Sequence, residues 1–311
     1  MSVLSFLTTT QVAALTTTTI ASLTSTQIRS LSSTQAGALT TDQIQAFGTS
    51  QLVTIGTTQV VGLSTTALGA LSTTAFASLT STSIGALSTT QVGALETTQL
   101  SVLPTTWVRA LTTTQVAALT ETQAAALTTT QLGALTTTQV RAIETTDLAA
   151  LTTDQITGLT TLQLTALTST QFSAIETTDL AALTTTQVRG LTTAQIAALT
   201  TTQTSALTET QFGGLTTTQL RALETSDFAG LTTTQLGGLS ATQMPGLTTG
   251  HLNALTTTAV VALTSTQLGG LQTSQIAGLN STQVGLLTTD QIGTLASTQL
   301  RALTSTQIGS L

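Results

Sequence analysis

One octapeptide, LTTTQVAA when read from its leucine, runs the length of this chain without a single insertion or deletion. Its first position falls at residue 7 and every eighth residue thereafter to 311, giving 39 positions. All are Leu except Phe47, Ile55, Ile143 and Ile175. Surface loops tolerate extra residues, whereas a stacked coil loses register with each one. Unbroken phase therefore predicts a tandem-repeat array spanning residues 1–311 as one uninterrupted domain.

The period constrains conformation. In a continuous α-helix, eight residues at roughly 100° each would carry the leucine stripe about 80° around the axis per repeat, so no face would stay apolar. A flat strand fits poorly, because positions 6 and 8 share one face while position 1 lies on the other. A short capped helix fits better. Position 2 is Thr or Ser in 28 of 38 units and position 5 is Gln in 28 of 38, which is the spacing of a capping box. That register also puts the position-1 Leu and the apolar position 6 at the two sites of a hydrophobic staple. Position 8 is nearly always Ala, Gly or Ser, small enough for a neighbouring coil to approach. The expected fold is all-α: a solenoid of very short capped helices, one per octad. The alternative is a β-solenoid bent at each Thr cluster, and residues 47–63, with Gly48, Gly56, Val53, Val60 and Val61, are its most strand-like stretch. Pro245, at position 7, counts against helix in its own unit.

A longer period is superimposed. All six Arg (29, 109, 141, 189, 221 and 301) occupy position 7 and are separated by multiples of 16, as are Glu96, Glu144, Glu176 and Glu224 at position 2. Two octads per coil is the expectation, with position 7 facing solvent and positions 1, 6 and 8 buried.

One unit cannot stand alone. Burying its two apolar side chains gains roughly 1.5–3 kcal/mol each, against about 8–16 kcal/mol to order eight backbone residues. Stacking has to supply the difference.

Composition narrows function. Net charge is −6, with six Arg and no Lys, so clustered cations for nucleic acid are missing. Polar residues interrupt every octad, leaving no apolar run long enough to span a membrane. Without Cys there is no disulfide framework or thiolate metal site. The N-terminal MSVLSF shows no secretory signal. Register reaches both ends without an atypical capping repeat, so end-to-end self-association, or continuation in a longer chain, is expected.

Candidate sites are few. Glu144/Asp147, Glu176/Asp179 and Glu224/Asp227 pair acids three residues apart, as a hard cation would want. Acids also belong at helix starts, and residues 142–153 repeat identically at 174–185, so duplication explains the coupling. His251 replaces Gln at position 5 and reads as a tolerated substitution. Trp107 reads as a packed or exposed indole before it reads as a sugar platform. Asn280 opens a glycosylation sequon and is also a good N-cap. Rows of Thr could order water or ice, or carry sugars. With one His, no Lys and no HExxH, no catalytic residue, metal ligand set or cofactor site is assigned, and no enzyme is expected.

Octads of the LTTTQVAAL type resemble the low-complexity Thr/Ala/Gln repeat regions of large bacterial secreted or surface proteins of the adhesin-like kind. The resemblance covers the whole chain and implies an extracellular or cell-surface spacer or filament. The glycine-aspartate nonapeptides of calcium-dependent repeat toxins are missing, so their metal-dependent folding is not implied. The expected role is a structural stalk or self-assembling filament subunit. The alternative is a surface whose Thr rows engage ice, glycans or a solid.

Overall fold

A computed structural model describes residues 3–311. Its described residues form 37 α-helices of four to six residues and two 3₁₀ helices, Val3–Phe6 and Met244–Gly246, with no strand. The all-α solenoid is therefore the fold, and the β-solenoid is excluded. Residues 47–63 are helical too, as Thr49–Leu52 and Thr57–Gly62. Their β-branched side chains have weak intrinsic preferences, which the caps and stacking override. The chain falls into two compact units, Met1–Leu159 and Thr160–Leu311.

Most helices begin as the capping-box spacing dictates. In the helix Thr9–Ala13, the Thr8 hydroxyl accepts the Gln11 N–H at 3.2 Å, and Gln11 Oε1 accepts the Thr8 N–H at 2.8 Å. Two of the free donors at the helix start are thereby satisfied by one pair of side chains. Where Gly48 and Gly56 replace Thr, only the glutamine half survives, at 2.9 and 3.0 Å. Helix ends are tight: Leu15 N–H donates to Val12 O at 3.1 Å, and the chain turns into the next N-cap through extended backbone. No described residue has a positive φ, so none of these turns needs a left-handed residue. Pro245 breaks the pattern as expected, leaving only the 3₁₀ turn Met244–Gly246 in its octad.

Coils are longer than the two octads that the Arg and Glu spacing implies. Helices pack on the third helix along: Ser33–Gly37 on Thr57–Gly62 in the first unit, Thr185–Gly190 on Glu209–Gly214 in the second. Side-chain bonds between coils span 25 to 31 residues. Each coil thus takes between three and four octads, and the 16-residue spacing has no counterpart in the packing. All six Arg are nevertheless exposed at position 7.

The core runs along positions 1 and 6, with Leu63 and Val60 typical at 3% and 0% exposed. The third buried position is 5, not 8: glutamines such as Gln43 and Gln99 are 1–2% exposed, while most position-8 residues stay partly accessible. Small residues at position 8 serve close approach instead. A Cβ on Gly62 would lie 1.9 Å from Ser33 O, and one on Gly214 would lie 2.2 Å from Thr185 Cγ2. Position-3 threonines therefore lie over the small residue of the following coil.

Candidate functional site

The most elaborate chemistry in the molecule is the column of buried amides at position 5. Gln43 Nε2 donates to Val12 O at 2.9 Å, Ala13 O at 3.2 Å and Leu15 O at 2.7 Å. Gln219 repeats this in the second unit, reaching Val188 O, Arg189 O and Leu191 O at 3.1, 3.2 and 2.8 Å. Those acceptors are the carbonyls at the C-terminus of a helix one coil back, of which Val12 O and Val188 O also accept the N–H of Leu15 and Leu191. One amide thus satisfies the N-terminus of its own helix through Oε1 and the C-terminus of another through Nε2. It is a rung joining consecutive coils.

Sequence reasoning captured the Oε1 half and missed the Nε2 half. A signal was present: a capping box accepts Glu as readily as Gln, yet no octad carries Glu at position 5. Only an amide offers the donor as well.

Two substitutions at position 5 keep the same inter-coil bond. Ser83 Oγ reaches Ile55 O at 2.6 Å, 28 residues back, keeping the donor with a shorter arm. His251 does it with a ring: Nδ1 accepts the Thr248 N–H at 3.2 Å and Nε2 lies 3.0 Å from Leu223 O. Both bonds together select the neutral tautomer with its proton on Nε2. Burial holds the imidazole below its ordinary range, opposed by the bond to Leu223. His251 also stacks on Phe228, with centroids 4.3 Å apart and planes 10° apart. It is a replacement rung, as the tolerated-substitution reading expects. Trp107 abandons the rung and is 3% exposed, edge-on to Phe76 at 5.4 Å. A buried indole offers no sugar platform, so that reading is withdrawn.

Each Asp of the acid pairs occupies a rung position and is buried at 2–4% exposure, while Glu144, Glu176 and Glu224 sit exposed at the N-cap. Asp227 Oδ2 accepts the Glu224 N–H at 3.0 Å, and this bond and the Thr201 hydroxyl both favour the ionised carboxylate. Burial still raises its pKa. Asp147 is less well served. Its Oδ2 is buried with no hydrogen-bond partner. Burial, reinforced by the negative charges of Glu121 and Glu144, pushes it up to about 6. Among the described residues, no three His, Cys, Asp or Glu side chains are grouped so as to hold a metal ion.

Asn280 acts as an N-cap, accepting the Gln283 N–H at 2.9 Å. Outward from the core lie the hydroxyls. Those at position 2 are engaged in caps, and those at position 4 are mostly exposed, several bonded back to their own cap, as Thr114 to Thr112 at 2.9 Å. No helix among the described residues is long and apolar enough to cross a membrane.

Fold and rung column together define the class: an all-α solenoid of capped octapeptide helices, cross-linked coil to coil by buried amides. The ALTTAQ repeat family matches residues 20–49, 66–97, 92–129, 108–137, 140–174, 172–209, 220–257 and 260–297. These matches cover well over half of the chain, which therefore belongs to the ALTTAQ repeat family. A search of curated proteins found no match.

Proposed function

We propose that this chain is a structural spacer, a stalk segment or self-assembling filament subunit at the cell surface or outside the cell, without catalysis. The amide column carries the reading. Its most elaborate polar chemistry is spent on holding coil to coil, and repeated identical joints suit a load-bearing element of adjustable length. The outermost coil of the second unit leaves Leu300 and Ile308 at 39% and 57% exposure, where interior position-6 residues are near zero. An apolar face of this kind would seat a coil of a second copy. Electron microscopy of the purified protein across a concentration series tests this. Filaments longer than one chain support self-assembly, isolated particles of fixed length at every concentration support a spacer segment, and amorphous or flexible coils refute both.

A second reading rests on the outward hydroxyls of position 4, present in 32 of 38 octads. They would engage ice, glycans or a solid surface. Thermal hysteresis and glycan-array binding test it, and silence in both removes it.

A further inference from the structure

Asp147 and Asp227 hold the same place in their octads, yet their surroundings differ at one residue. Twenty-six residues before Asp227 stands Thr201, whose hydroxyl favours the ionised Asp227 carboxylate and lowers its pKa. Twenty-six residues before Asp147 stands Glu121. The hydroxyl donor is replaced by a second carboxylate, and Asp147 Oδ2 is left buried without a partner. The helix Glu121–Ala126 packs directly on Thr145–Ala149, so the two acids face each other across a coil junction. Two charged groups bear on Asp147, Glu121 from the preceding coil and Glu144 at its own N-cap, and both are negative.

The rung geometry adds a second mismatch. A position-5 side chain points at the C-terminal carbonyls of a helix one coil back, which for Asp147 are those of Val116, Ala117 and Leu119 by register. Glutamine meets these with a donor. Ser83 shows that a short hydroxyl suffices, reaching the carbonyl 28 residues back at 2.6 Å. An ionised carboxylate has no donor and sets like partial charges against each other.

We propose that the Asp147–Glu121 junction is a proton-operated latch in the first unit. Protonation turns the Asp147 carboxyl into the missing rung, an O–H donating to Leu119 O while its other oxygen remains an acceptor. Loss of the proton leaves a buried anion against Glu121 and three carbonyls, and loosens the junction. Since the carboxyl is held at about 6 in the folded chain against an ordinary 3.8, the folded state binds more protons between these values. Stability of this junction accordingly rises as pH falls from 6 towards 4 and is flat above the folded value. The same junction built with Thr at residue 121 would set a hydroxyl beside the carboxyl in place of a second anion, as Thr201 does for Asp227, and would be a weaker switch.

Hydrogen exchange on the intact chain tests the latch, reading the helices Glu121–Ala126 and Thr145–Ala149 at pH 4.5 and 7.5 after correction for intrinsic rates. Opening should be about tenfold more frequent at pH 7.5, a conservative share of the shift after solvent screening. Asp147→Asn, which carries a donor at every pH, should stay closed at both. Glu121→Thr should remove one of the two facing anions, supply a hydroxyl and lower the Asp147 titration midpoint. Carboxyl carbon NMR of Asp147 would follow that shift directly, independently of any change in global stability. Unchanged pH dependence in Asp147→Asn, or an unmoved Asp147 midpoint in Glu121→Thr, overturns the proposal.

Discussion

Gln139→Ala is the sharpest test of the amide column. Gln139 is 3% exposed. Its Oε1 accepts the Thr136 N–H at 2.8 Å, and its Nε2 donates to Val108 O and Leu111 O at 2.8 and 2.7 Å, with Arg109 O further off at 3.4 Å. Oε1 also accepts the Thr136 hydroxyl at 3.0 Å, so truncation deletes four good hydrogen bonds. At a net 0.5–1.5 kcal/mol each the loss is about 2–6 kcal/mol, reduced wherever water enters the gap. The loss should be local, because repeat arrays couple mainly between neighbours, and octads with Ala67, Ala75 and Ala259 already dispense with the rung. Native-state hydrogen exchange should show lowered protection in Thr105–Ala110 and Thr137–Val140, with distant coils unaffected. Thr130→Ala, at an exposed position 4 with no such bonds, is the control and should stay within about 0.5 kcal/mol of wild type. Gln139→Glu keeps shape and acceptor but loses the donor, so it should be worse than wild type at neutral pH and recover on acidification. If Gln139→Ala proves as silent as the control, the column is not what joins the coils.

Glycines give a paired test. Gly62→Ala would put Cβ 1.9 Å from Ser33 O and should cost about 1–3 kcal/mol or more. Gly69→Ala meets nothing within 4 Å and should be neutral or stabilising by up to about 1 kcal/mol, both read by denaturant melts. Thr204 Oγ1 is buried without a partner at a core position, so Thr204→Val should stabilise the second unit by about 1–2 kcal/mol. An unchanged or lower melting temperature would contradict it. His251 is buried neutral, with its pKa lowered from 6.5, so the unfolded chain binds its proton first. Its contribution is complete above pH 6.5 and declines as pH falls below that value. Protection around Thr249–Ala254 should therefore drop between pH 7 and 5 in wild type relative to His251→Gln.

Sequence alone decided everything that is local. Eight-residue phase, Thr or Ser at position 2, Gln at position 5 and an apolar position 6 specify a short capped helix, because every one of those interactions closes within four residues. Asn280 as a cap, Pro245 as a break and exposed Arg at position 7 were legible for the same reason. What lies one coil away was not. The number of octads per coil depends on how helix ends meet, and the 16-residue spacing of Arg and Glu pointed elsewhere. The burial of position 5 was equally hidden, since Gln43 looks like a surface capping residue until Val12 and Leu15 are brought to its amide. Trp107 and His251 are interpretable only once their column is known to be interior. The difference between Asp147 and Asp227 needs the fold most of all. It turns on whether Glu121 or Thr201 stands 26 residues earlier, a separation that has no meaning until the coil is closed.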